Sequence, residues 1–350
     1  MIPVFDGHND FLQRMVEAGP ARDALWLSGD GTGHLDLPRA RAGGFAGGFF
    51  AIWTPSPEEG PNDDIAVQLM ENPPFAMDLP AEVPAAHALP HALAQAANLL
   101  AMERSGTVEI CHSAAAIRRA IAEGRIAAIM HIEGAEPVAD LDMLHVWHRL
   151  GLRSIGPVWS RPTRYGHGVP FAFPSSPDTG DGLTEAGKGL VRECNQLKIM
   201  LDLSHLNEKG FNDVARLSDA PLVASHSCAH AISPSSRNLT DRQLKVMAES
   251  KGLVGLNYAT GFLRPDGKRL TFAGFEIMLS HLDHLLAILG EDGVALGSDF
   301  DGALMPQDLA DVGAQQNLVD AMLQHGYGQE LTEKIAWKNW VGLLERTWGA

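Results

Sequence analysis

Short apolar segments alternate with amphipathic segments of helical period along almost the whole chain. The apolar segments predict eight strands, at residues 4–10, 44–53, 125–132, 153–159, 199–203, 221–224, 252–257 and 294–297. The segments between them predict helices, among them residues 85–104, 141–150, 184–196, 208–217, 275–289 and 330–348. Ser113 and the capping box that begins at Thr240 mark two further helix starts. Strands that alternate with helices are typical of a parallel α/β fold, and eight of them indicate a closed (β/α)8 TIM barrel.

Polar side chains stand at the C-terminal ends of five of the predicted strands. In chain order they are His8, Asp10, Glu133, His205, His226 and Asp299. Strands so far apart could hardly converge in an open sheet, whereas every strand of a barrel ends at the same mouth, where active sites of this fold lie. We therefore expect a single domain over residues 1–350, with its site at that mouth and with lid-like loops at residues 54–83 and 160–183.

The first of these strand ends has the ligands of a metal site. Side chains two apart on a strand point to the same face, so His8 and Asp10 project together. Imidazole and carboxylate groups suit a borderline metal such as zinc. Three histidines and three carboxylates at one mouth provide enough ligands for two ions, which a carboxylate can bridge. The sixth group is then free to carry a proton.

The remaining histidines do not share this placement. His281 and His284 lie three apart on a predicted helix, and we interpret both as surface or packing residues. His131 lies two residues before Glu133, so it points to the same side and is expected one layer below the site.

Composition narrows the class of protein. The formal net charge of −16 argues against nucleic-acid binding, which needs a basic surface. The three cysteines, Cys111, Cys194 and Cys228, are far apart and odd in number, so we expect no disulfide framework and a reducing, cytoplasmic location. The chain starts at Met1 without a secretory signal pattern, and no apolar run of about 18 residues predicts a membrane span.

Six short motifs resemble, in this order, those of the renal or membrane dipeptidases of the amidohydrolase superfamily. They are Asp6-Gly7-His8-Asn9-Asp10, Ile132-Glu133-Gly134, Asp202-Leu203-Ser204-His205, Ser225-His226-Ser227, Ser236-Arg237-Asn238 and Ser298-Asp299-Phe300-Asp301-Gly302. The late segment at residues 335–340 also looks like the final helix of that family. Each motif is weak alone, but together they run from the first residues to the last.

The resemblance implies a binuclear zinc site. His8, Asp10 and Glu133 would bind one ion, and Glu133, His205 and His226 would bind the other. Glu133 would bridge the two ions, in place of the carboxylated lysine of many relatives.

The resemblance also implies the remaining roles at the site. Asp299 would be the catalytic acid and base, with Asp301 as its rival on the same strand face. Arg237 would bind the C-terminal carboxylate of a dipeptide through its planar fork of donors. Trp159 and Tyr258 are the other expected substrate-binding residues.

One stretch departs from the mammalian members of that family. They carry a histidine in a Leu-Thr-His context after the fourth strand, whereas this chain reads Pro157-Val158-Trp159-Ser160. The bacterial branch, with a Trp-Ser-Arg-Pro stretch, looks closer. The substrate contact of the missing histidine must be supplied otherwise, and Arg161, Tyr165 and His167 are the candidates.

The expected function is zinc-dependent hydrolysis of free dipeptides, including L-Xaa-D-Xaa, by attack of a metal-bridging hydroxide. The resemblance also allows a homodimer. Two alternatives stay open at this point. Another amidohydrolase reaction, on a lactone, a cyclic amide or a deamination substrate, would keep the metal site but would not need Arg237. A non-catalytic protein would keep the metals for stability alone.

Overall fold

Eight parallel strands form a barrel in the computed structural model, which describes residues 1–57 and 62–349, with residues 62–64 described by their backbone alone. In chain order the strands are β1 Val4–Asn9, β2 Phe45–Trp53, β3 Ile126–Glu133, β4 Leu152–Ile155, β5 Met200–Leu201, β6 Val223–Ser227, β7 Leu253–Asn257 and β8 Val294–Gly297. The predicted (β/α)8 barrel is confirmed, and each predicted strand overlaps an observed one.

Helices cover the outside of the barrel. The α-helices are Phe11–Ala18, Arg22–Ser28, Leu37–Ala42, Asn62–Glu71, Ala85–Arg104, Ala114–Ala122, Leu141–Leu150, Glu185–Leu197, Glu208–Leu217, Asp241–Glu249, Thr260–Leu263, Glu276–Leu289, Gln315–His325, Gly328–Glu333 and Asn339–Trp348. A π-helical turn, Lys334–Lys338, joins the last two. Both predicted helix starts are confirmed, because the Ser113 and Thr240 hydroxyls accept N–H groups of the first turn.

Two strand bounds differ from the prediction for reasons in the backbone. The fourth strand ends at Ile155 instead of Trp159, because Gly156 N–H makes the last ladder bond and Pro157 has no N–H to continue it. The sixth strand continues to Ser227, where it still pairs with Leu256 of β7, although its last residues are polar.

The barrel consists of two ladders joined at two seams. One sheet has the order β1-β2-β3-β4-β5 and the other has the order β6-β7-β8. At the first seam Leu203 N–H donates to Val223 C=O at 2.8 Å. At the second seam Asp299 N–H donates to His8 C=O at 3.0 Å, and Asp10 N–H donates to Phe300 C=O at 2.8 Å. The seams therefore close at the level of the predicted site residues.

Trp340 from the last helix fills the lower barrel. Its ring lies 4.9 Å from that of Phe49, and its indole N–H donates to Leu296 C=O at 2.8 Å. A Cβ at Gly7 would lie 2.6 Å from this ring, and one at Gly255 would lie 3.0 Å from it. At both positions the nearest atom to such a Cβ is the backbone carbonyl oxygen of Ser225, so β1 and β7 carry glycine because a side chain would clash with β6 and with the tryptophan.

The two long loops predicted as lids pair with each other. Phe75–Ala76 from the first loop forms an antiparallel pair with Ala172–Phe173 from the second. The first loop also contains the helix Asn62–Glu71, and its residues 58–61 lie outside the described part. Pairing couples the positions of the two loops, whereas their action as lids stays a prediction.

Two expectations, about membrane-spanning helices and about disulfide bonds, can be compared with the described residues. No helix among them has both the length and the apolar character needed to cross a bilayer. Cys111, Cys194 and Cys228 are all buried and form no disulfide.

His281 is buried on the helix Glu276–Leu289 and holds three segments together. Ala229 N–H donates to its Nδ1 at 3.1 Å, and its Nε2 lies 2.9 Å from Leu263 C=O. The imidazole is thus neutral, with its proton on Nε2. Burial lowers its pKa to about 4.

This histidine predicts a pH-dependent stability. Its contribution is complete above the unfolded-state pKa of 6.5 and is lost as the pH falls toward 4, since only the unfolded state gains a proton. The unfolding free energy of metal-free protein should fall by about 1.4 kcal/mol per pH unit in that window relative to His281→Gln. Urea titrations at several pH values measure this difference. His284→Gln, at the surface of the same helix, is the control, and parallel profiles of wild type and His281→Gln would contradict the prediction.

Candidate active site

Three imidazoles surround the carboxylate of Glu133 at the C-terminal mouth of the barrel. Glu133 Oε1 lies 3.1 Å from His205 Nε2 and 3.3 Å from His226 Nε2, and its Oε2 lies 3.7 Å from His8 Nε2. The rings of His8 and His226 stack with their centroids 3.9 Å apart. Strands β1, β3 and β6 and the segment that follows β5, all distant in sequence, thus bring these side chains to one point.

Two further carboxylates complete the group on the side of His8. Asp10 Oδ2 lies 3.4 Å from His8 Nε2, which confirms that these side chains project together. Asp299 offers an oxygen within 4.8 Å of the facing atoms of both residues. Asp299 Oδ2 accepts from Asn257 Nδ2 at 2.9 Å.

A β-bulge places His8. The pairs Asp6–Gly48 and Asn9–Phe50 bracket three steps of β1 but only two steps of β2. The extra residue lies between Asp6 and Asn9, so the ladder is irregular where β1 carries His8. Sequence periodicity cannot show a bulge, because it presumes a regular strand.

Two site residues have backbone conformations that side chains disfavour. His205 has a φ of 66° and Asp299 a φ of 63°, both in the left-handed region. Such a residue costs about 1 kcal/mol relative to a relaxed one, so the surrounding contacts must hold it.

Burial and crowding set the charges on the His8 side. Burial raises the pKa of Glu133 to about 8, with Asp10 and Asp299 adding to the shift. Burial disfavours the charged form of His8, but the carboxylates of Glu133 and Asp10 outweigh it and raise the pKa of His8 to about 10. Burial likewise raises the pKa of Asp299. The carboxylates repel one another, so positive charge among them is favourable.

The donor atoms fit divalent metal ions. Among the described residues, neither ring nitrogen of His8 has a hydrogen-bond partner, nor does Glu133 Oε1, although all three atoms are buried. His205 Nε2 and His226 Nε2 lie 3.2 Å apart, while their Nδ1 atoms contact the hydroxyls of Ser160 and Ser225. Burial lowers the pKa of both imidazoles well below its usual value, so both are neutral. Buried lone pairs directed at one place suit a bound cation.

Two buried aspartates bind serines that neighbour site residues, and sequence reasoning missed both roles. Asp202 accepts the N–H and the hydroxyl of Ser225, and Asp6 accepts the same two groups of Ser298. Burial favours the neutral form of Asp202, but His131 and the bonds from Ser225 outweigh it and lower its pKa. Burial raises the pKa of Asp6 to about 7. The available signal was the repeat of an aspartate two or three residues before a predicted ligand histidine.

His131 lies one layer below the site, as its spacing predicts. Its ring meets the edge of His8 at 5.6 Å, its Nδ1 lies 2.8 Å from Ser154 Oγ, and its Nε2 lies 3.6 Å from Asp202 Oδ2. Burial lowers its pKa to about 4. It therefore packs under His8, beside the carboxylate of Asp202.

A cavity of about 380 Å³ opens beside the metal-type residues. Its apolar wall comprises Trp53, Met70, Trp159, Phe171, Phe262 and Leu304. Its polar lining includes Asp10, Gln13, Arg14, Glu17, Glu133, His205, Arg269, Asp299 and Asp301. This size suits a small ligand with an apolar portion.

The three predicted substrate-binding residues lie in different places. Trp159 lines the cavity, with its ring 5.8 Å from that of His205. Arg237 is buried behind Phe262, with its guanidinium 5.7 Å from that ring, and it donates to Ser227 Oγ and His226 C=O at 3.1 Å each. Tyr258 is buried against Phe300 and is not among the residues that line the cavity.

None of the three candidates for the missing histidine contact lines the cavity. Tyr165 is buried and donates to Val138 C=O at 2.6 Å, while the carbonyl of His167 accepts the N–H of Asn207 at 3.3 Å. Arg161 is fully buried and pairs with Glu136 at 2.8 Å. It also donates to Thr54 C=O at 2.8 Å, so it joins the segments that follow β2, β3 and β4.

Comparisons with known proteins agree with the motif resemblance. A family model described as membrane dipeptidase (peptidase family M19) matches residues 1–347. Dipeptidase tcpJ of Claviceps purpurea is 31% identical over 350 residues, which cover 97% of this chain and 76% of that protein. An uncharacterized protein in the pqqA 5′ region of Klebsiella pneumoniae is 44% identical over 245 residues, which cover 70% of this chain and 90% of that protein. Among solved structures, a metallopeptidase from Rhodobacter sphaeroides, liganded with a phosphinate mimic of the dipeptide L-Ala-D-Ala, has a TM-score of 0.97 and 60% identity, with 99% of both chains covered.

The buried Arg161–Glu136 pair predicts a large loss of stability when one charge is removed. Arg161→Met leaves the Glu136 carboxylate buried without its cation and should lower the unfolding free energy by about 3–5 kcal/mol. Adding Glu136→Gln to this variant should recover most of the loss, since no charge is then left alone. Guanidinium titrations measure both changes. If the double variant is as unstable as the single one, the loss of unfolding free energy comes from the altered packing and not from the unpaired charge.

Proposed function

Because the chain belongs to the membrane dipeptidase family, peptidase family M19, and is a metal-dependent dipeptidase, we propose that it hydrolyses free dipeptides with two zinc ions. We extend the proposal to dipeptides of L-Xaa-D-Xaa configuration. The observation that carries it is the position of Glu133, whose two carboxylate oxygens face His8 on one side and His205 and His226 on the other. A carboxylate in that position can coordinate two metal ions at once, one through each oxygen.

The proposed ligands divide into two sets that share Glu133. His8 and Asp10 would complete one set, and His205 and His226 would complete the other. The first set is supported by the ring nitrogens of His8, which are buried without a partner among the described residues, and by Asp10 Oδ2 at 3.4 Å from His8 Nε2. The second set is supported by Glu133 Oε1, which lies 3.1 Å from His205 Nε2 and 3.3 Å from His226 Nε2. Bound there, divalent ions would lower the pKa of a water molecule and polarise the scissile carbonyl.

Asp299 is the proposed proton carrier. Asn257 holds its Oδ2, while the half-buried side chain lines the cavity. Burial raises its pKa, which brings the carboxyl group closer to the range in which it can both take and give a proton. It would accept the proton of the attacking water and deliver it to the leaving amine nitrogen.

Asp301 is less suited to that task, although it lines the same cavity. Its Oδ1 accepts from Arg14 Nη1 at 3.2 Å and from His34 N–H at 2.7 Å. Burial raises its pKa to about 6. These contacts tie one oxygen to the loop after β1, so we assign it to the structure of that loop.

Substrate recognition is proposed to use charge at both ends of the dipeptide. Arg237 is buried and, among the described residues, has no carboxylate partner within 4.0 Å, which suits a group that binds the substrate carboxylate. Acidic side chains on the cavity wall, Asp10 and Glu17 among them, suit a free α-amino group. The L-Ala-D-Ala mimic in the Rhodobacter sphaeroides structure supports the extension to L,D dipeptides.

The Asp299→Asn variant tests the proton carrier. It keeps the shape of the site and should retain both metal ions, but it should lose about 10²–10⁴-fold in kcat because an amide cannot carry the proton. Metal analysis and steady-state rates on L-Ala-D-Ala measure the two effects. Asp301→Asn is the comparison variant and should lose far less; the reverse order of the two losses would transfer the role to Asp301.

A small panel of substrates tests the reaction and its recognition. L-Ala-L-Ala, L-Ala-D-Ala, N-acetyl-L-Ala-D-Ala and L-Ala-D-Ala amide are offered to zinc-loaded enzyme with and without a chelator. We expect chelator-sensitive cleavage of the two free dipeptides only, and a steep rise in KM for them in Arg237→Met. Equal cleavage of the amide by the wild type would refute carboxylate recognition by Arg237. No cleavage of any member, with zinc bound, would indicate another amidohydrolase reaction.

A further inference from the structure

The seam between β5 and β6 carries a side-chain clamp next to two of the proposed ligands. Asp202 Oδ1 accepts Ser225 N–H at 2.8 Å and Ser204 N–H at 3.1 Å, and its Oδ2 accepts the Ser225 hydroxyl. All of these groups are buried. His205 and His226 follow directly in the two segments that the clamp joins.

The hydrogen bonds of this clamp determine where the Ser225 proton lies. Both oxygens of Asp202 act as acceptors, because Oδ1 already receives two N–H groups and Oδ2 faces the hydroxyl. The Ser225 hydroxyl therefore donates to Asp202. Its lone pairs remain to accept a proton from another group.

That other group is His226, whose Nδ1 lies 2.7 Å from Ser225 Oγ. Since the hydroxyl proton points to Asp202, the proton between Ser225 and His226 must belong to Nδ1. The imidazole then has its lone pair on Nε2, which faces Glu133 Oε1 at 3.3 Å. This is the tautomer that a metal ligand coordinating through Nε2 requires.

We propose that Asp202 is a positioning residue that acts through Ser225 to keep His226 in the Nδ1–H tautomer, with Nε2 directed at the metal site. The inference rests on the metal site of the proposed function. It goes beyond that function because neither Asp202 nor Ser225 touches the cavity or supplies a metal ligand.

A clamp of the same geometry at the other seam provides a matched control. Asp6 Oδ1 accepts Ser298 N–H at 2.6 Å, and its Oδ2 accepts the Ser298 hydroxyl at 2.8 Å. The hydroxyl of Ser298 also lies 2.9 Å from the carbonyl of His8, and no imidazole nitrogen of the described residues is bonded to it. A change at Asp6 therefore disturbs a seam without reaching an imidazole tautomer.

The isosteric Asp202→Asn variant tests the inference. Oxygen must remain at the position that accepts two N–H groups, so the amide NH2 faces Ser225 Oγ. Of the two acceptors that remain for the Ser225 hydroxyl, His226 Nδ1 at 2.7 Å is much nearer than Ser204 Oγ at 3.3 Å, so the hydroxyl donates to Nδ1 and the imidazole proton moves to Nε2. The expected result is a reversed tautomer and zinc affinity lower by about 10- to 100-fold.

Two measurements on the full-length chain read these effects separately. Long-range ¹H–¹⁵N spectra of metal-free, ¹⁵N-histidine-labelled protein report the His226 tautomer, which should be Nδ1–H in wild type and in Asp6→Asn but Nε2–H in Asp202→Asn. Competition with a chelating dye reports zinc affinity. Ser225→Ala, which removes the acceptor, should also weaken zinc binding, and Ser225→Thr should restore it to within about threefold.

The outcomes distinguish this inference from the proposed function. If His226 keeps the Nδ1–H tautomer and zinc affinity is unchanged in both Asp202→Asn and Ser225→Ala, the inference is overturned. If Asp202→Asn does not fold, the Ser225→Ala and Ser225→Thr pair decides by the same two readouts. A wild type with the Nδ1–H tautomer that binds no zinc overturns the proposed function instead, because the tautomer is read without metal.

Discussion

The site depends on a surrounding structure that holds mutually repelling polar side chains close together. Glu133, Asp10 and Asp299 repel one another, and His205 Nε2 and His226 Nε2 direct lone pairs at the same place. Such a group would spread apart or draw in other polar atoms unless the surrounding structure were stiffer than the forces within it. The barrel supplies that stiffness, through strands buried on both faces, Trp340 packed inside and aspartates bonded across the seams.

The strands and the site residues were predictable from the sequence because both follow from position along regular elements. A strand of period two that ends in a polar residue places that residue at the mouth, whatever the rest of the chain does. Glu133 and His226 reached the mouth for this reason, whereas His205 and Asp299 lie in the segments that follow β5 and β8 and have left-handed backbone. The bulge in β1 did not disturb the prediction, because His8 still faces Glu133 in the structure.

The parts that the sequence could not predict depend on contacts between distant segments. Ser160, whose hydroxyl meets His205 Nδ1, lies in a loop without periodicity. Tyr258 directly follows β7, but its ring turns beneath Phe300 instead of toward the cavity. Short helices such as Phe11–Ala18 and Leu37–Ala42 have too few turns to show a clear helical period, and their packing stabilises them.

Closure of the barrel and assembly of the site are the same event in this molecule. The backbone bonds that close the second seam involve His8, Asp10 and Asp299, and the bond at the first seam lies two residues before His205. The aspartate clamps cross the seams at the same level, beside the proposed ligands. A barrel left open at both seams would keep its two ladders, yet the proposed ligands would be divided between two separate sheets. Metal bound to both groups would in turn favour the closed barrel, because ligands from both sides of each seam surround Glu133.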